Sequence, residues 1–284
     1  MILVRIEKVL NNNVIIVRNE HRKESVIMGK GIAFRKKEGD IVDEDKIEKM
    51  FTLDNKGLSE KLQTLLAEIP LEHMEISEKI ISYAKLHLGK RLHDSIYVTL
   101  TDHISFAIER SFKGIEIKNS LLWDTKRFYS EEFAVGLEAL KILRQDLGVV
   151  LTEDEAAQIA LHLVNAEMNE NMSNTVDITK IMHDILSIVK KHFKFEYDEQ
   201  SMLYFRFITH LKFFAQRLIN GTDVASTDNT LFHMVKEQYK EAFACVERIK
   251  IYIENTYRRE LTNEEMLYLT IHIERVINQK PKTG

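Results

Sequence analysis

Two sequence motifs occur twice along the 284 residues, in the same order and at nearly the same offset. LTEDEAAQIALHLVNAE begins at Leu151 and LTNEEMLYLTIHIERV at Leu261. Each carries a Thr, a Glu three residues on and a His seven beyond that. These are Thr152, Glu155 and His162 in the first, Thr262, Glu265 and His272 in the second. SIYVTLTDHISFAIER and MLYFRFITHLKFFAQR each place a Tyr six residues before a His and an Arg seven after it. They give Tyr97, His103 and Arg110 against Tyr204, His210 and Arg217. The copies are offset by 107 and 110 residues, and the His-to-His spacing inside a copy is 59 or 62. Two ordered motifs at a near-constant offset imply a tandem duplication of a domain of roughly 110 residues. A Thr followed three residues later by Glu is a capping box, which places His162 and His272 near the middle of helices.

The duplicated part reads as helical. The chain holds only 2 Pro and 10 Gly, few helix breakers for its length. KLQTLLAEI, ISEKIISYAKLHL and EEFAVGLEALKILRQDL place apolar residues three to four apart. Breaks fall near Pro70, Gly89, Gly114, Gly148 and Gly221, and the polar stretch from Asn169 to Asn174 divides the body in two.

The first 53 residues follow a different pattern. Met1 to Leu10 and Val14 to Val17 are rich in Ile, Val and Leu, and Asn11, Asn12 and Asn13 between them signal a hairpin. A break at Asn19 to Glu24 leads into Ser25 to Met28. Gly29 to Gly31 interrupts again, then come Ile32 to Phe34, a polar turn, and Ile41 and Val42. The expected fold is therefore multidomain. A small all-β antiparallel, four-stranded head over 1–56 is followed by two homologous all-α helical bundles over 57–172 and 173–284, with Asp54 to Gly57 as a linker. A sheet of that size is marginal alone and commonly dimerises.

Charge separates head from body. Residues 1–37 hold nine Lys and Arg against three acids, a net +6 in a chain of net −4, so the other 247 residues carry −10. A basic head on an acidic body suits a polyanion partner, and equally a small solvated domain. Cys245 is the only cysteine, which excludes an internal disulfide and any multi-Cys zinc site and fits a reducing compartment. No signal peptide and no run of about 18–20 apolar residues is present, so cytoplasmic residence without membrane insertion is expected.

Four of the 11 histidines fall on the repeat: His103, His162, His210 and His272. One helical histidine alone is most simply a structural residue held by a hydrogen bond; two equivalent pairs weigh against that. Two His per domain are too few for a closed zinc site, and HExxH is absent, although Glu155 or Glu265 could add a ligand. Neither G-x-S-x-G, a P-loop nor a Rossmann glycine pattern occurs, so no metal, no cofactor and no enzymatic activity is expected. Neutral imidazole is, however, a good nucleophile near pH 7 and can accept a phosphoryl group. An Arg seven residues along the same helix lies about two turns away on the same face, so Arg110 and Arg217 could bind that phosphate.

These residues resemble a known family. KVLNNNVIIV, MGKGIAFRKK and EKMFTL in the head are similar to the RNA-binding co-antiterminator domain of BglG-type transcriptional antiterminators. LTDHI, ALHLVNAE, THLKFFAQRL and LYLTIHIERV resemble the duplicated regulation domains of the same family, which answer to the sugar phosphotransferase system. The resemblance covers essentially the whole chain. It implies a homodimeric head of packed sheets that binds an RNA hairpin in nascent mRNA, keeps an overlapping terminator from forming and lets transcription continue into sugar-utilisation genes, β-glucoside genes among them. It implies RNA contacts at Lys8, Asn13, Gly29, Lys30 and Phe34. Lys8 and Lys30 would reach phosphates, Asn13 a base edge, and Phe34 would stack on an unpaired base, with Gly29 allowing close backbone approach. From the residues alone, Asn13 could simply close the hairpin and Phe34 could be core. The resemblance further implies phosphorylation of His103 and His162 in the first regulation domain and of His210 and His272 in the second. The HPr protein would act on the second domain and activate; the sugar permease would act through the first and inhibit. Asp102 would orient the His103 ring.

Two other functions stay open on sequence grounds. A DNA-binding activator with the same regulation domains needs a helix-turn-helix head, which the β pattern of residues 1–53 opposes. A histidine phosphotransfer relay would pass its phosphate on.

Overall fold

β-Branched runs in the head form antiparallel strands where the sequence predicts them. These are β1 (Ile6–Asn11), β2 (Val14–Arg18) and β3 (Glu24–Met28). Asn12 and Asn13 make the turn between β1 and β2. The computed structural model describes residues 4–18, 24–52, 56–222 and 230–278; Met1 to Leu3, the break at Asn19 to Lys23, and Leu53 to Asn55 lie outside them. The expected strand at Ile32 to Phe34 does not form. The chain there makes successive one-turn bonds, Ile32 N–H to the Gly29 carbonyl at 3.1 Å, Phe34 N–H to Gly31 at 3.1 Å and Lys36 N–H to Ala33 at 3.0 Å. Gly31 (φ +66°) and Arg35 (φ +58°) are left-handed, which extended backbone does not allow. Ile41 makes only an isolated bridge to Arg5. The ladder ends instead on a short run, β4 (Lys49–Thr52), paired with β3, so the neighbours run β1-β2-β3-β4. Among the described residues before Lys49, the only helical turn is a single 3-10 turn at Glu44–Lys46, which leaves no helix-turn-helix there.

Strand alternation gives the sheet two apolar faces. Ile6, Ile15, Val17 and Ile27 pack under Ile32, Ala33 and Val42 of the loop that follows β3. Val14, Ile16, Val26 and Met28 meet Leu62, Leu66 and Met74 on the other side. Leu62 and Leu66 belong to α1 (Lys56–Glu68), so Lys56 and Gly57 are helical rather than linker. Asn11 Nδ2 adds a hydrogen bond to the Leu66 carbonyl at 2.8 Å. Both faces of the sheet are thus covered within one chain.

Five helices follow α1 in the first half: α2 (Leu71–Leu88), α3 (Ile96–Phe112), α4 (Leu122–Phe128), α5 (Ser130–Leu147) and α6 (Glu153–Met168). The second half repeats the order as α7 (Met172–Phe193), α8 (Met202–Asn220), α9 (Thr230–Gln238), α10 (Lys240–Tyr257) and α11 (Asn263–Ile277). The chain divides into two compact units, Met1–Glu170 and Asn171–Gly284. In the first, Ile80, Ile81, Ile96, Leu100, Ile104, Ala139, Leu143 and Leu163 build a core from four helices. A Cβ on Gly136 would meet the Ala156 carbonyl at 2.2 Å, so glycine is what lets α5 lie this close to α6. In the second, Ile181, Ile185, Phe207, Phe214, Val246, Ile249, Leu269 and Ile273 are buried in the same way. Pro70 stands before α2, and Gly89, Gly148 and Gly221 end helices in the left-handed conformation. Asn171 caps α7 through a bond from the Asn174 amide.

Candidate functional site: two histidine pairs and the loop face of the head

Equivalent helices carry each histidine pair. His103 on α3 meets His162 on α6, with ring centroids 4.8 Å apart; His210 on α8 meets His272 on α11 at 4.2 Å. Residues separated by some 60 positions in sequence are therefore in contact in both copies. Among the described residues no three His, Cys, Asp or Glu side chains group so as to hold a metal ion.

The surroundings of the two pairs differ. In the first, the buried Glu155 carboxylate lies 3.2 Å from His103 Nε2 and accepts from Arg110 at 2.8 Å. The His103 contact is close but poorly aligned, and Nε2 is buried with no hydrogen bond. Burial alone would raise the Glu155 pKa; His103 and Arg110 outweigh it and hold the carboxyl below its ordinary range. His162 is 8% exposed and its Nδ1 is buried unpaired. Burial, with His103 beside it, lowers its pKa to about 3. The Asp102 carboxylate makes no hydrogen bond or ion pair among the described residues; the carboxylate at the His103 ring is Glu155.

In the second pair the His210 Nδ1 atom is hydrogen-bonded to the Tyr268 hydroxyl. Burial lowers the His210 pKa, and the guanidinium groups of Arg206, Arg217 and Arg275 lower it further. His272 falls to about 4 through burial, His210 and Arg275. Glu265 is turned away from these rings. Its carboxylate accepts from the Thr262 amide at 2.9 Å, and the Thr262 hydroxyl accepts from the Glu265 amide at 3.2 Å, closing the capping box. The same box, expected at Thr152 and Glu155, is absent: the Thr152 hydroxyl donates to Asp154 at 3.4 Å, the Glu155 amide bonds to the Thr152 carbonyl at 3.0 Å, and the Glu155 carboxylate is engaged with His103 and Arg110. Gln158 and Asn165 stand in the first copy where Tyr268 and Arg275 stand in the second, and Thr99 where Arg206 stands. Aligning the copies on their histidines exposes these differences; the shared motif alone hides them.

In the head, the five residues singled out from the sequence sit on or beside the β1–β2 turn and the loop after β3. Phe34 is 58% exposed, so it is not core, and the Arg35 guanidinium lies 5.3 Å from its ring centroid. Arg35 is a cation beside an exposed ring that the sequence did not bring forward. Asn13 takes the Gly31 amide on Oδ1 at 2.8 Å and the Gly29 amide on its carbonyl at 3.0 Å, which ties the turn to the loop. Its Nδ2 is the part left for an outside acceptor. Gly29 is buried, and a Cβ there would meet the Lys46 carbonyl at 1.7 Å, so the close approach it permits is to its own chain. Lys8 on β1 and Lys30 in the loop are exposed, and Glu48 receives the Lys30 amide at 3.2 Å.

Residues 4–60 match the CAT RNA binding domain, and residues 78–166 and 183–276 each match the PRD domain. The chain belongs to the BglG-type transcription antiterminators. It is 62% identical to transcription antiterminator LicT of Bacillus subtilis (strain 168) over 276 residues, 97% of this chain and 100% of that protein. It is 48% identical over 273 residues to the β-glucoside operon antiterminator of Dickeya chrysanthemi, 96% of each. The crystal structure of GlcT CAT-PRDI aligns with a TM-score of 0.51 at 34% identity, covering 58% of this chain and 99% of that one. In this antiterminator the two histidine pairs therefore fall in the two PRD domains, and the loop face of Asn13, Lys30 and Phe34 in the RNA-binding domain. No helix among the described residues is long and apolar enough to cross a membrane.

Proposed function

We propose that this chain is a phosphorylation-gated antiterminator. Its head, as a dimer, binds a looped RNA hairpin in nascent mRNA and keeps a terminator from forming upstream of sugar-utilisation genes. Phe34 stacks on an unpaired base, Asn13 Nδ2 meets a base or ribose acceptor, and Lys8, Lys30 and Arg35 face phosphates. HPr phosphorylates the second PRD domain and activates; permease-dependent phosphorylation of the first inhibits. The chain works in the cytoplasm as a regulator rather than a catalyst.

The opposite surroundings of the two histidine pairs carry this proposal. A phosphate brings roughly −1.5 to −2 charges. On His210 it meets Arg206, Arg217 and Arg275, whose positive charge the bare ring already feels. New charge-assisted bonds would tie α8 to α11. On His103 it adds negative charge about one ring-width from the Glu155 carboxylate, which already holds Arg110, so the α3–α6 tie weakens. That change is coupled to the head, since Val98 of α3 and Met74 of α2 pack against the sheet. The covered sheet face adds a reason for gating. A sheet-on-sheet dimer through Val14, Ile16, Val26 and Met28 and the packing of α1 on those residues exclude each other. Release of α1 is then the step that phosphorylation biases.

A gel shift with the full chain at about 150 mM salt tests the RNA half. Tight binding to a hairpin with internal loops, and weak binding to a fully paired RNA and to the matching DNA duplex, is expected. Equal binding to all three would reduce the head to a nonspecific polyanion binder.

A further inference from the structure

The two pairs differ in which edge of the reactive ring is occupied. His103 turns Nε2 inward, where it is buried and faces Glu155 Oε2 at 3.2 Å. Arg110 holds the other oxygen of that carboxylate at 2.8 Å, so the acid is not free to swing aside. His210 does the reverse. Its Nδ1 is bonded to the Tyr268 hydroxyl, and that Tyr ring lies edge-on to it with centroids 5.2 Å apart. A neutral imidazole carries its proton on one nitrogen and its nucleophilic lone pair on the other. A carboxylate only accepts, so beside Glu155 the proton belongs on Nε2. At His210 the Tyr268 oxygen can accept the Nδ1 proton, which leaves the lone pair on Nε2.

We propose that Glu155 and Tyr268 are positioning residues that choose the phosphorylated atom, so that His103 is phosphorylated on Nδ1 and His210 on Nε2. This rests on the assignment of both histidines as phosphoryl acceptors. The donor is a protein phosphohistidine with its ring protonated. The acceptor lone pair attacks phosphorus, the donor P–N bond breaks, and its electron pair stays on the donor ring, which leaves as neutral imidazole. The acceptor becomes a phosphoimidazolium whose N–H faces Glu155 in the first domain and the Tyr268 oxygen in the second. Atoms, charge and protons balance without a further reactant. Because donors must then approach opposite ring edges, one donor surface cannot serve both domains in the same orientation. The two sites are thereby kept for different donors.

The test is the isomer of phosphohistidine at each site of the full-length chain. The protein is phosphorylated with phospho-HPr, and phosphoramidate loads any histidine the protein donor leaves empty. Intact mass reports incorporation, and phosphorus–nitrogen NMR couplings of the histidines assign the atom. The expected result is the Nδ1 isomer at His103 and the Nε2 isomer at His210. The same isomer at both would overturn the proposal. Incorporation from phosphoramidate but none from phospho-HPr would instead contradict HPr as the donor, with the isomers still readable. Tyr268→Phe should give both isomers at His210 and leave His103 unchanged, and Glu155→Ala should do the converse. A purely structural role for Tyr268 would lower stability in Tyr268→Phe without changing the isomer.

Discussion

Glu155 and Glu265 stand three residues after the same Thr, at the start of equivalent helices, with a His seven residues further on. Glu265 closes a capping box with Thr262 and is finished at the helix end. Glu155 leaves its own helix end uncapped and reaches across to His103 and Arg110 on α3. Around the first histidine pair there is consequently a buried anion neutralised by one arginine. Around the second there is a tyrosine and three arginines with no carboxylate in contact among the described residues. Duplication has kept the histidine rings and changed the charge they sit in. Under the proposed phosphorylation, the same covalent mark would be disfavoured in one domain and bound in the other, so one chemistry would carry two opposite signals.

The largest expected effect comes from deleting the two acids. Glu155→Ala leaves Arg110 partly buried and unpaired and should destabilise the first PRD domain by about 3 kcal/mol. Glu265→Ala loses only a cap and should cost the second about 1 kcal/mol. Hydrogen exchange of α3 and α6 against α8 and α11 separates the domains; equal losses would break the contrast.

Acid should act next. His162 is neutral in the folded chain, with its pKa lowered to about 3, whereas the unfolded side chain titrates near its ordinary 6.5. Below pH 6.5 the unfolded chain therefore binds the extra proton, and stability falls with pH until about 3. The slope reaches at most ~1.4 kcal/mol per pH unit. Glu155, held low, contributes stability that is lost only below the carboxylate range, so between pH 7 and 5 the loss comes from the histidines held low, His162 with His73 in the first unit and His192, His210 and His272 in the second. Exchange protection of α6 should drop across that interval, and His162→Gln should flatten the drop. An unchanged slope in the variant would place the proton elsewhere.

The smallest effect sharpens the comparison most finely. Thr262→Ala should cost about 1 kcal/mol and Thr152→Ala only a few tenths, since only Thr262 makes the cap bond. Similar losses in a denaturant titration would mean that both boxes form in solution.

Much of this was legible in the sequence. The repeat located both histidine pairs and the helices that carry them, because a motif spaced at helical period fixes a face. β1 to β3 followed from the apolar runs around Asn11 to Asn13. The loop after β3 did not, since Ile32 and Ala33 are as apolar as a strand, and what turns them is the left-handed backbone at Gly31 and Arg35. A strand was expected there; the chain instead folds under the sheet and buries Ile32 completely. Asp102, adjacent in sequence to His103, drew attention that the geometry gives to Glu155, 52 residues away. Tyr268 and Gln158 occupy one repeat position, Arg275 and Asn165 another and Arg206 and Thr99 a third, so the surroundings of the rings diverge where the shared motif does not reach. Side-chain competition of this kind is tertiary and leaves no period to read.

The most direct test measures RNA binding by the full chain carrying phosphate in one domain at a time. Phosphorylation confined to the second domain, with His103 and His162 replaced by Ala, should raise affinity for the looped hairpin. Phosphorylation confined to the first, with His210 and His272 replaced, should lower it. A shift in the same direction from both would contradict the account, because the arginines around His210 and the carboxylate beside His103 would then have no bearing on the output.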